Sequence, residues 1–82
     1  MKKILIADSS AVTRSIEKEI IHLNPAFEYA GYALSFAELQ SKVSEFKPDA
    51  LIVDTAFFEG MKFESIIFEL KNLGIQTLLF VN

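Results

Sequence analysis

Cysteine is absent from the 82 residues, which excludes disulfides, thiolate catalysis and cysteine-ligated zinc. Histidine occurs once, at His22, near the end of a helical segment and with no catalytic partner in the pattern around it. Eight basic residues face eleven acidic ones and are scattered along the chain, for a net charge of −3. Nothing there forms an electrostatic footprint for phosphate backbones, so nucleic-acid binding is not expected. No apolar run approaches the roughly 18 residues that a membrane span needs. The two leading lysines are followed only by the short apolar stretch Ile4 to Ala7 before Asp8, too little for an export signal. The expectation is a soluble, cytoplasmic chain without a membrane partner.

What is present is a core. Hydrophobic residues make up 51% of the chain and charged residues 23%, a globular balance, and eight phenylalanines predict an aromatic-rich interior. A chain of this length supports one domain, spanning residues 1–82, which buries only about 60 to 65% of its unfolded surface. Its stability margin is therefore thin.

Two periodicities alternate along the chain. Lys3 to Ala7 is a short continuous apolar run closed by Asp8, Ser9 and Ser10, the pattern of a strand buried on both faces. From Ala11 the apolar residues Val12, Ile16, Ile20 and Leu23 fall at helical spacing, with Arg14, Glu17 and Lys18 turned outward. Ser9 or Ser10 caps this first helix and Pro25 stops it. Phe27 to Ala33 reads as a second strand, weakened by Gly31. Ser35 and Glu38 form a capping box, flanked by Leu34 and Leu39 at staple positions, and Leu39, Val43 and Phe46 continue the second helix. Lys47, Pro48 and Asp49 break it, and Ala50 to Val53 is another doubly buried strand, ending at Asp54. After an irregular stretch through Gly60, Phe63, Ile66, Ile67 and Leu70 mark a third helix that Gly74 terminates, and Thr77 to Val81 is a fourth strand. Such alternation predicts an α/β parallel sheet with right-handed crossovers and helices on both faces.

In an open parallel sheet, functional groups gather outside the carboxyl ends of the strands where the strand order reverses. Asp8 and Asp54 each end a strand. If the first and third strands are neighbours, in the order 2-1-3-4, the two carboxylates share one crevice. Paired oxygens there suit a hard cation such as Mg²⁺, which would offset the charge on an incoming phosphoryl group and leave one carboxylate as nucleophile. The alternative is local: Asp is common in turns and at helix starts, and on that reading Asp8 helps to cap the first helix.

The run Ile4-Leu-Ile-Ala-Asp-Ser-Ser-Ala-Val-Thr-Arg14 resembles the first strand and helix start of response-regulator receiver domains, chemotaxis receivers in particular. Lys47-Pro-Asp-Ala-Leu-Ile-Val-Asp54 is similar to their third strand, whose final Asp is the phosphoacceptor. The resemblance covers the chain and implies a flavodoxin-like fold, a place in a two-component phosphorelay, and a histidine kinase as partner. It makes Asp54 the phosphoacceptor. Asp8, Asp54 and the backbone carbonyl of Ala56 would bind Mg²⁺, and Asn82 would contact the phosphoryl group where the family has Ser or Thr.

The departures are equally specific. The second acid of the family's pair is Ser9, which predicts weakened Mg²⁺ affinity. The turn after Asp54 reads Thr-Ala-Phe-Phe-Glu-Gly-Met-Lys, without the family's proline. The family's fifth strand, with its lysine, and its last two helices are missing, so the receiver-like domain is read as incomplete.

Among the remaining residues, Phe57 and Phe58 are either an exposed aromatic interface or core that folds back over the sheet edge. Ser9, Ser10 and Thr55 have no base positioned to make a nucleophile, and capping or turn roles suffice. The last strand is apolar on both faces through Leu78, Leu79, Phe80 and Val81, so Leu78 and Phe80 are expected in a self-association interface along its edge. Three functional readings follow. The first is a non-enzymatic signalling module with a degenerate phosphorylation site; the second is a working phosphoacceptor at Asp54; the third is a truncated or engineered fragment that assembles through its fourth strand.

Overall fold

A computed structural model describes residues 1–54, 56, 57 and 62–80, and for Phe63, Leu79 and Phe80 the backbone alone. The elements run β1 (Lys2–Ala7), α1 (Ala11–Leu23), β2 (Phe27–Ala33), α2 (Phe36–Phe46), β3 (Ala50–Asp54), α3 (Phe63–Asn72) and β4 (Gln76–Phe80). All strand pairings are parallel, and the sheet order is β2-β1-β3-β4. The chain therefore steps one way from β1 to β2 and then back past β1 to β3. With right-handed crossovers, that reversal puts α1 on one face and α2 with α3 on the other.

Strand alternation then sorts the core into two layers. Leu5, Ala7, Leu51 and Val53 point to the face covered by α2 and α3, where they meet Leu39, Leu70 and Ile75. Ile4, Ile6, Ala50 and Ile52 point to the opposite face, where Ile21 of α1 packs on them. Phe57 is half-buried against the first layer, the core reading of the two open for it.

Local chemistry sets the helix ends. Ser10 accepts a hydrogen bond from the Thr13 amide at 3.5 Å, and Ser35 accepts one from the Glu38 amide at 3.2 Å. The box at Ser35 is half realised, because the Glu38 carboxylate turns to Lys42 instead, 3.5 Å away. Gly74, at φ 79°, closes α3: its amide donates to the Lys71 carbonyl and the Ile75 amide to the Leu70 carbonyl, each at 2.9 Å. This is a Schellman turn whose two apolar partners, Leu70 and Ile75, are both in the core. On β2, Gly31 at φ 132° lies at a register shift that leaves Ala30 without a partner on β1.

The rotation of α1 differs from the expectation. Its buried residues are Thr13, Glu17 and Ile21, while Val12, Ile16, Ile20 and Leu23 are 72, 47, 44 and 74% exposed. Glu17, read from the sequence as outward-facing, is fully buried. The apolar stripe and the sheet-facing stripe lie about a quarter-turn apart around the helix, and periodicity alone does not say which of two adjacent stripes meets the sheet.

Candidate functional site

The strand register builds the site. Ala7 pairs with Val53 across β1 and β3, so continuing by one residue sets Asp8 beside Asp54 at the carboxyl ends of the two central strands. Side-chain parity with Ile6 and Ile52 directs both carboxyl groups to the α1 face. Both are buried. The parallel sheet and the adjacency of the two aspartates therefore hold as expected. They lie at the switch point of the strand order, where such sheets place ligands.

The backbone holds both groups. Asp8 Oδ1 accepts the Ser10 amide at 2.9 Å, and the guanidinium of Arg14 donates to the Asp8 carbonyl at 3.1 Å. The local role foreseen for Asp8 is thus real, but it engages only one of the two carboxyl oxygens. Asp54 Oδ1 accepts the Ala56 amide at 3.4 Å, and the Phe57 amide donates to the Asp54 carbonyl at 2.9 Å. Ser9, at the place of a second acid, is exposed.

A third carboxyl group enters from α1. The helix starts at the carboxyl end of β1, and helical side chains lean toward the helix N-terminus, so Glu17 reaches back toward Asp8. Burial pushes the Glu17 carboxyl up to about 8, reinforced by a hydrogen bond with Asp8 and by the charges of Asp8 and Asp54, while Arg14 acts in the opposite direction. Two carboxyl groups can share a hydrogen bond only if one of them holds a proton. Apart from that, Asp8 Oδ2 and both oxygens of Glu17 are buried without a hydrogen-bond partner among the described residues. The donor set, oxygen-only and anionic, fits a hard divalent cation, with Asp8, Asp54 and the Ala56 carbonyl as the residues that would hold it. Such an ion supplies positive charge against phosphoryl oxygens.

The rim is basic. Tyr32, at the end of β2, lies between the Arg14 guanidinium, 4.6 Å from the ring centroid, and the Lys42 ammonium, 5.0 Å from it, and Lys42 also donates to the Tyr32 carbonyl. His22 is exposed and edge-on to Tyr29 at 6.2 Å, which fits a surface role. Leu78 is 40% exposed on β4. Thr55, Phe58, Asn82 and the Phe80 side chain lie outside the described residues. A groove of about 650 Å³ between α2 and α3, lined by Leu39, Val43 and Leu70, lies at the other end of the strands and shares nothing with the carboxyl cluster.

Sequence reasoning missed Glu17. The available signal was its spacing: Thr13, Glu17 and Ile21 form one i, i+4, i+8 row on a helix that begins beside Asp8.

A parallel sheet of order 2-1-3-4, wound on both faces and ending its central strands in two adjacent aspartates, is the flavodoxin-like fold of response-regulator receivers that the sequence resembles. Among solved structures, a doubly substituted variant of the anti-anti-sigma factor PhyR from Bartonella quintana superposes on 98% of this chain and 33% of its own, with a TM-score of 0.74 and 16% identity. Among curated proteins, protein-glutamate methylesterase/protein-glutamine glutaminase 3 of Syntrophomonas wolfei is 35% identical over 54 residues, 66% of this chain and 15% of that protein. The chain thus spans a small part of each relative. No family model matches it. No described helix is long and apolar enough to cross a membrane.

Proposed function

We propose that the chain is a receiver-like module of a two-component signalling system, with a degenerate phosphorylation site, acting through protein–protein contact without turnover of its own. The observation that carries this reading is the side-by-side placement of Asp8 and Asp54 with the neutral Ser9 where a second acid would stand. A hydroxyl is a poor substitute for a carboxylate toward Mg²⁺, and a weaker ion leaves the charge on an incoming phosphoryl group less well offset. The partners in this reading are other cytoplasmic signalling proteins. Leu78 on β4, which pairs with no second strand among the described residues, supports self-association along that edge.

The second reading is a working phosphoacceptor. It is favoured by Asp54 at the switch point, with one long hydrogen bond to its carboxylate among the described residues. In that case Asp54 attacks phosphorus, a phosphoaspartate forms, and the donor, a histidine kinase, leaves with its nitrogen lone pair restored. Incubation with a small-molecule phosphodonor and Mg²⁺, followed by intact mass, separates the two. The degenerate site predicts no stoichiometric adduct; an adduct that Asp54→Asn abolishes would establish the second reading.

A further inference from the structure

We infer that Glu17 takes the part of the acid that Ser9 does not supply, and that Asp8 and Glu17 together form a binding site for a divalent cation of the Mg²⁺ and Mn²⁺ type. The inference builds on the receiver-type site and adds to it a ligand drawn from the body of α1 instead of from the residue after Asp8. Three observations converge. Glu17 is completely buried, yet among the described residues neither of its carboxyl oxygens has a hydrogen-bond donor other than a proton shared with Asp8. Asp8 is also completely buried, and among the described residues its Oδ2 is equally without one, since the Ser10 amide engages Oδ1. The helix geometry aims Glu17 back toward Asp8, within range of the Asp54 charge as well.

A buried carboxylate with unmet oxygens is costly, and the ordinary remedies are an amide, a hydroxyl or a basic side chain. Arg14, the nearest basic group, spends its described hydrogen bond on the Asp8 carbonyl and stacks on Tyr32. A proton shared between Asp8 and Glu17 engages one oxygen of each, whereas a cation satisfies all three at once. Among the described residues no three carboxyl groups converge closely enough to ligate a single ion, so water has to complete the shell. Two protein carboxylates with water completing the shell match what Mg²⁺ accepts. Ser9 and Ala56, which follow Asp8 and Asp54 in the chain, are both exposed. The Asp54 charge adds to the negative potential at Glu17.

The test is a Mn²⁺ titration of the whole chain followed by electron paramagnetic resonance of the free ion, with circular dichroism to establish folding. The wild type is expected to bind one Mn²⁺, competed by Mg²⁺, and Glu17→Gln to weaken it by about tenfold or more. Glu17→Gln keeps the shape of the side chain and cannot ionise, so it is not expected to unfold the chain. Adding Ser9→Asp to Glu17→Gln is expected to restore binding, since it returns a carboxylate beside Asp8. A wild type with no saturable site, in which the two carboxyls merely share a proton, overturns the inference, as does a folded Glu17→Gln variant that binds like the wild type. The phosphodonor assay answers a different question: a phosphorylated Asp54 would displace the degenerate-site reading while leaving the role of Glu17 standing.

Discussion

On one face of the sheet, α2 and α3 close over Leu5, Ala7, Leu51 and Val53 with a mainly apolar layer, into which β4 adds the buried hydroxyl of Thr77. On the other, α1 alone covers Ile4, Ile6, Ala50 and Ile52, and two of its three buried residues, Thr13 and Glu17, are polar. The same face carries Asp8 and Asp54 at its upper end and leaves Leu78 and four apolar residues of α1 exposed. Stability is thus concentrated on one face and chemistry on the other. The separation follows from the period of a strand: adjacent residues such as Leu51 and Ile52 point to opposite layers, so one strand serves both.

The largest expected effect tests that division directly. Leu51→Ala removes a fully buried side chain from the two-helix layer and is expected to cost about 3–4 kcal/mol, much of the margin of so small a domain. Ile52→Ala, one residue away in the one-helix layer, is expected to cost about 2 kcal/mol, because a thinner layer relaxes more easily around the lost volume. Urea denaturation of both variants measures the difference. Equal costs, or the reverse order, would break the comparison.

A smaller effect of opposite sign belongs to the polar face. The unfolded chain ionises Glu17 near 4.5, whereas the folded chain holds its proton up to about 8. Between those values the native state binds a proton that the unfolded state has lost, so this residue lowers stability progressively as pH rises through that window. Below about 4.5 both states are protonated and the penalty vanishes. Glu17→Gln, which does not titrate, is expected to flatten the slope and to raise stability at pH 8 by about 2 kcal/mol, with little gain at pH 4. Urea midpoints of the two proteins at both pH values show it. A parallel pair of pH profiles would place the Glu17 carboxyl in solvent.

The fold was legible because its signals are local and mutually consistent. Doubly apolar runs ending in Asp8 and Asp54, a cap at Ser35 and a glycine stop at Gly74 each have one structural meaning, and their alternation admits few topologies. Two of the site's acids were legible for the same reason, since each ends a strand. Glu17 was not. A glutamate inside an amphipathic helix reads as solvated, and the burial of this one depends on how α1 is rotated on the sheet, a tertiary choice among adjacent stripes. Phe57 was open between core and interface for a related reason: residues in a turn have no period from which to read a face.

The smallest expected effect probes that rotation. Ile16 and Ile21 lie on the same helix, but Ile21 is fully buried whereas Ile16 is 47% exposed. If α1 presents Thr13, Glu17 and Ile21 to the sheet, Ile16→Ala loses little buried area and is expected to change stability by no more than about 0.5 kcal/mol, against about 3 kcal/mol for Ile21→Ala. Alanine's higher helix propensity offsets part of even that small loss. Thermal unfolding at low protein concentration resolves the two. Should Ile16→Ala prove the costlier, the apolar stripe of Val12, Ile16, Ile20 and Leu23 would be the one against the sheet. Glu17 would then swing into solvent, and the third carboxyl group of the site would go with it.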